Sequence, residues 1–116
     1  MDTRTKIVSA HEAADLAAAG ATVVSGYFDP LLASQARRLK ELKRDGVPLL
    51  VLIATPKDPI LPAGARAELV ASLGVVDHVA ELANGVQPQF RLEPEHDLNL
   101  KELIEHVHTR QRASSC

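Results

Sequence analysis

Six consecutive aliphatic residues, Leu49-Leu50-Val51-Leu52-Ile53-Ala54, do most to limit what this chain can fold into. The run neither alternates with polar residues nor repeats at helical spacing, so both of its sides must be covered. It is far too short to cross a bilayer, which takes about 20 apolar residues. Gly46 and Pro48 before it and Thr55-Pro56 after it mark it off as one strand. A strand covered on both faces calls for helices on both faces, and so for a parallel sheet with helical crossovers.

The flanking segments fit that scheme. Ser9-Ala10-His11-Glu12 reads as a capping box opening an Ala-rich helix that runs to about Ala19 and stops at Gly20. Ala21 to Gly26 is β-branched and reads as the first strand. Asp29-Pro30 is expected to open a second helix, with Leu32, Ala36, Leu39 and Leu42 inward and Gly46 as its end. Pro62 is expected to start a third helix with Ala65, Leu69 and Leu73 inward, closed by Gly74. Val75 to Ala80 reads as a third strand, Asn84-Gly85 as a turn, and Gln89 to Leu92 as a weaker fourth strand. Asn99 caps a last helix with Leu100, Leu103, Ile104 and Val107 at i, i+3, i+4, i+7. Strands alternating with helices through short loops give an α/β domain with a parallel sheet. One domain is expected over residues 1–112, with 113–116 as a flexible tail.

Composition narrows the function classes. Apolar residues are 46% and charged residues 24%, which excludes disorder along the whole chain. The net charge of −2 argues against a basic nucleic-acid binder, and aromatics at 3% argue against a base-stacking surface. A single cysteine, Cys116, cannot form an internal disulfide or a cysteine metal cage. The first residues lack the apolar stretch of a signal peptide, so a cytoplasmic protein with no membrane or nucleic-acid partner is expected.

In an open α/β sheet, ligands bind beyond the carboxyl ends of the strands. Gly26-Tyr27-Phe28-Asp29 stands there, between the first strand and the second helix. One reading is a nucleotide phosphate site, since a helix N-terminus offers free N–H groups and a positive dipole end. The other is a glycine turn in which Asp29 only caps the helix.

The wider segment Thr22-Val23-Val24-Ser25-Gly26-Tyr27-Phe28-Asp29-Pro30-Leu31-Leu32-Ala33-Ser34-Gln35 resembles the cytidylyltransferase-like nucleotidyltransferases, whose signature is a strand followed by G-x-F-D-x-x-H-x-G-H. It looks nearest to the adenylyltransferase domain of ADP-heptose synthase and to glycerol-3-phosphate cytidylyltransferase. Lys6-Ile7-Val8-Ser9 resembles the lead-in of the heptose family. Asp58-Pro59-Ile60-Leu61-Pro62 through Arg66-Ala67-Glu68-Leu69-Val70-Ala71-Ser72-Leu73 resembles its R-P-I-x-P…R-A-E-x-L-A-x-L stretch, and Val75-Val76-Asp77-His78-Val79 its V-D-x-V strand. The resemblance spans residues 6–82. It implies a three-layer Rossmann-like fold of the HUP-type nucleotidyltransferases, a sheet of four or five parallel strands, and a homodimer. It implies nucleotide or phosphate contacts at Gly26, Tyr27, Phe28, Asp29, Ser34, Gln35, Lys57 and Arg66.

The catalytic pattern departs from the family. In the family both histidines of H-x-G-H stabilise charge on the nucleotide phosphates. Leu32 stands at the first histidine position and can neither donate a hydrogen bond nor carry charge. Gln35 stands at the second and is never cationic. Ser34 replaces the glycine, and Asp58 replaces the R-P arginine, reversing its charge. Lys57 is the only cation left in a shortened loop, and the family's later I-S-S/T-x-x-R segment has no match. The expectation is a degenerate, non-catalytic domain that keeps an interaction or regulatory role and residual nucleotide or phosphate-ligand affinity. The competing expectation is an active nucleotidyltransferase using NTP and Mg²⁺ on a sugar or alcohol phosphate, with Gln35, Lys57 and Arg66 holding phosphate. No other cofactor and no metal site is expected. The histidines His11, His78, His96, His106 and His108 form no metal-ligand spacing, and His96, between acidic neighbours, reads as an exposed turn residue.

Overall fold

A computed structural model describes residues 3–82 and 86–96. The Asn84-Gly85 turn, the last helix, the 113–116 tail, Cys116 and two of the histidines (His106 and His108) lie outside the described residues. Four strands form one parallel sheet: β1 (Thr22–Gly26), β2 (Leu49–Ile53), β3 (His78–Glu81) and β4 (Phe90–Arg91), in the order β3-β2-β1-β4. Among the described residues it is flanked by the helices α1 (Ala10–Ala18), α2 (Ala33–Leu42) and α3 (Ala63–Ala71). This is a Rossmann-like three-layer α/β fold. No helix among the described residues is long and apolar enough to cross a membrane.

The aliphatic run explains itself in β2. Leu49, Val51 and Ile53 pack against α2 and α3, with Leu39, Ala67, Val70 and Ala71 among their neighbours. Leu50 and Leu52 face the other way, onto Ala13 of α1, with Val23 and Ala80 beside them. Burying each such side chain contributes about 1.5–3 kcal/mol, so this strand stabilises both layers. β1 lies against β2 with Thr22 opposite Leu49 and Gly26 opposite Ile53. Half of the expected capping box is present at α1: Ser9 Oγ accepts from Glu12 N–H at 3.1 Å.

Four local expectations shift. α2 opens at Ala33, later than Asp29-Pro30, because the Asp29 carboxylate is engaged elsewhere. It ends at Leu42, before Gly46, since Lys43 turns extended and sends its ammonium to the Val47 carbonyl and Asp77. The buried face of α3 is Arg66, Ala67, Val70 and Ala71, while Leu69 is exposed. The expected face of Ala65, Leu69 and Leu73 is thus rotated by about one position, because the Arg66 side chain turns inward onto backbone carbonyls. β3 starts at His78 because Val75 and Val76 still belong to the turn after α3, where Val76 N–H bonds the Leu73 carbonyl.

Strand order places the fold's switch point between β1 and β4. The chain moves outward from β1 through β2 to β3, then returns to the far side of β1. Beyond the carboxyl ends of β1 and β4, on either side of this reversal, lies the crevice where this architecture receives ligands.

Candidate functional site

β1 ends at Gly26, and the next residues turn sharply, with Phe28 in the left-handed region at φ 49°. A bulky residue there carries a local cost of about 1–2 kcal/mol. Burial of the Phe28 ring in the core sustains it. The turn directs two successive amides at one acceptor: Tyr27 N–H and Phe28 N–H donate to His96 Nδ1, at 3.0 and 3.3 Å.

His96 comes from the helical segment 93–96 that follows β4. It is not the exposed residue its acidic neighbours suggested. Only 4% of it is exposed, and its ring stands edge-on to Phe28 with centroids 4.5 Å apart. Gly26 makes room for it. A Cβ at position 26 would overlap the ring at Cε1, lie 2.9 Å from Nδ1, and lie 2.8 Å from Phe28 Cε2. Burial pushes the imidazole pKa down to about 4. Two N–H groups aimed at Nδ1 also oppose a proton there, so the neutral ring carries its proton on Nε2. Nε2 is buried and has no hydrogen-bond partner among the described residues.

The other polar groups expected at the site are also bonded inward. The Asp29 carboxylate accepts from Ile60 N–H at 2.6 Å and Leu61 N–H at 2.7 Å. It caps the loop ahead of α3, and not α2. Gln35 Oε1 accepts from Leu32 N–H at 3.0 Å and so closes the first turn of α2. Arg66 is 1% exposed. Its Nη1 donates to the carbonyls of Tyr27 (3.1 Å) and Ala54 (2.7 Å), its Nε to the Leu61 carbonyl (3.0 Å), and its Nη2 to Thr55 Oγ1 (3.4 Å). It thus ties the ends of β1 and β2 to the 55–61 loop, with no carboxylate paired to it among the described residues. Ser34 and Lys57 are exposed.

Two spaces flank Tyr27. A small cavity of about 50 Å³ is lined by Tyr27, Asp29, Leu32, Gln35, Asp58 and His96, among others. That is room for a few waters. None of its lining residues carries a positive charge, and Asp58 adds a negative one. On the other side, an open crevice of about 460 Å³ runs over the carboxyl ends of the strands, lined by Ala54, Thr55, Arg91 and Glu93 as well as Tyr27. Its size suits a small ligand. Sequence reasoning did not single out Arg91. The signal for it is positional, a cation at the end of the strand across the switch point.

Tested for fit, the residues do not make a triphosphate–Mg²⁺ site. The turn amides are taken by His96, Arg66 is spent on carbonyls, and Leu32 and Asp58 offer nothing to phosphate. Among the described residues no group of three or more His, Cys, Asp or Glu stands ready to hold a metal ion. Compared with known protein families and with curated protein sequences, the chain matches none.

Proposed function

We propose that this chain is a nucleotidyltransferase-like domain that does not transfer nucleotides and acts as an interaction or regulatory domain with weak affinity for a phosphate-bearing small molecule. The observation that carries this reading is where the motif's remaining polar groups are spent. Asp29, Gln35, Arg66 and the amides of Tyr27 and Phe28 all bond within the fold. Phosphoryl transfer depends on cations and free donors held against the phosphates. Losing one such donor costs about 100- to 1,000-fold in rate. Residual affinity belongs to the crevice beyond β1 and β4, where Arg91 supplies a cation.

The test is incubation with each NTP, Mg²⁺ and a panel of phosphorylated sugars and alcohols, following pyrophosphate release. No turnover above background is expected. Turnover that disappears in Gln35→Ala would instead establish the active enzyme.

A further inference from the structure

We propose that His96 is a built-in occupant of an oxyanion cradle: its Nδ1 fills the paired N–H groups of Tyr27 and Phe28, and a phosphate-class anion binds there by displacing the imidazole. This rests on the phosphate-ligand reading above and adds to the open crevice a second, occluded place for such an anion on the other side of Tyr27.

The cradle is defined by geometry. Successive backbone N–H groups that converge on one point beside a left-handed residue form a concavity suited to anions. Here the two amides meet at a single atom, 3.0 and 3.3 Å away, and Phe28 is the left-handed residue. They stand at the carboxyl end of β1, beside the switch point. Beneath them lies the buried Arg66 guanidinium, 3.1 Å from the Tyr27 carbonyl, with no carboxylate paired to it among the described residues. The two amides and the guanidinium behind them are donors, the Asp29 and Asp58 carboxylates line the cavity on the other side, and the occupant between them is a neutral ring.

His96 is an imperfect filler. Only its Nδ1 edge is satisfied. The proton forced onto Nε2 is buried without a partner among the described residues, and an unmade hydrogen bond of that kind costs free energy. An oxyanion would make charge-assisted bonds to the same amides, roughly twice as strong as neutral ones. Removing the ring would also enlarge the small cavity that His96 lines. Asp29 and Asp58 both line that cavity and oppose an anion, so their charges set the threshold for displacement.

Tyr27 is the only tyrosine and there is no tryptophan, so intrinsic fluorescence reads this turn alone. The probe is pyrophosphate, titrated at neutral pH into the full chain and into His96→Ala. The variant is expected to bind at least about tenfold more tightly, a difference of about 1.4 kcal/mol. Added imidazole should reverse the gain by refilling the cradle. In the unmodified chain, saturating pyrophosphate should move the ring ¹⁵N signals of His96 to those of a solvated imidazole. This second measurement decides the matter if the variant does not fold. A folded variant with unchanged affinity overturns the proposal, as does pyrophosphate that at no concentration moves the His96 signals. Pyrophosphate release from NTP would overturn the proposed function separately. A chain with neither turnover nor a gain in the variant keeps that function and loses only the plug.

Discussion

The two ends of the sheet solve the same problem differently. At the amino end of β2, the Asp77 carboxylate accepts from Leu49 N–H at 2.7 Å and pairs with Lys43 Nζ at 2.7 Å. Burial alone would raise its pKa, but the Lys43 and Leu49 hydrogen bonds and the Lys43 charge prevail and hold it below its ordinary value. Each charge there has its opposite, in partial contact with water. At the carboxyl end, among the described residues, the buried cation Arg66 meets neutral acceptors and the buried imidazole His96 has one nitrogen satisfied. Folding requires no such imbalance, as Asp77 and Lys43 show in the same sheet. This unbalanced polarity is gathered at the end of the sheet where open α/β folds receive ligands, which is why the proposed function is centred there.

The largest expected effect that tests this contrast is at Arg66. Arg66→Met keeps the aliphatic stem and removes every donor. The carbonyls of Tyr27, Ala54 and Leu61 lose this partner inside the protein, at roughly 1–3 kcal/mol each in an unrelaxed site. A loss of roughly 3 kcal/mol or more in urea unfolding is expected. If Arg66 were instead a phosphate ligand, the substitution would weaken ligand binding and leave stability largely intact, and that outcome would break the contrast.

Next comes acid. His96 has a pKa of about 4 in the folded chain and about 6.5 when unfolded. Because the folded value is depressed, its contribution is fully present above about pH 6.5 and is lost as pH falls through 4. The gap corresponds to roughly 3 kcal/mol. The charged groups around it, Glu93 and Glu95 on its own segment, Arg38 on α2 and Asp58 across the cavity, set how much of that is seen. Urea midpoints at pH 7 and pH 4.5 should differ in the unmodified chain and differ much less in His96→Gln. Asp77 works in a separate window: with its folded pKa lowered, its contribution holds above about pH 3.8 and fades only below.

Asp29→Asn is expected to cost roughly 1–3 kcal/mol. The amide presents an N–H₂ group to one of two donors, Ile60 N–H or Leu61 N–H, and leaves it unsatisfied. Amide exchange at Ile60 and Leu61 should quicken ahead of the rest of the chain, since the loop before α3 loses its anchor. Unchanged exchange there would show that Asp29 is not what holds that loop.

What the sequence disclosed follows from the range of the interactions. β2 is legible because its covering is written in consecutive residues, and α1 because Ser9 and Glu12 are three apart. Both signals are local. His96 is not legible, since its partner amide is 69 residues away and its neighbours in the chain are acidic. Asp29 is half legible. A carboxylate after a strand reads as a cap, but the amides it caps are 31 residues on, in a loop no local pattern points to. Arg66 misleads for a different reason. The resemblance points its guanidinium at phosphate, but it is satisfied by three carbonyls that converge from separate parts of the chain, which no local pattern reveals.

The smallest expected effect lies at the balanced end and separates the two kinds of electrostatics. Asp77→Asn keeps an oxygen for Leu49 N–H and removes only the charge facing Lys43. Both side chains are in partial contact with solvent, so the pair is worth on the order of 0.5–1 kcal/mol. A double-mutant cycle with Lys43→Met isolates that coupling. Raising the salt should shrink it, because solvent-exposed charges are screened within about 3 Å at 1 M ionic strength. The same salt should leave the Arg66→Met loss almost unchanged, because the guanidinium interacts at contact distance through groups sealed from water. If salt erodes both equally, Arg66 is held by long-range charge like Lys43, and the two ends of the sheet are alike after all.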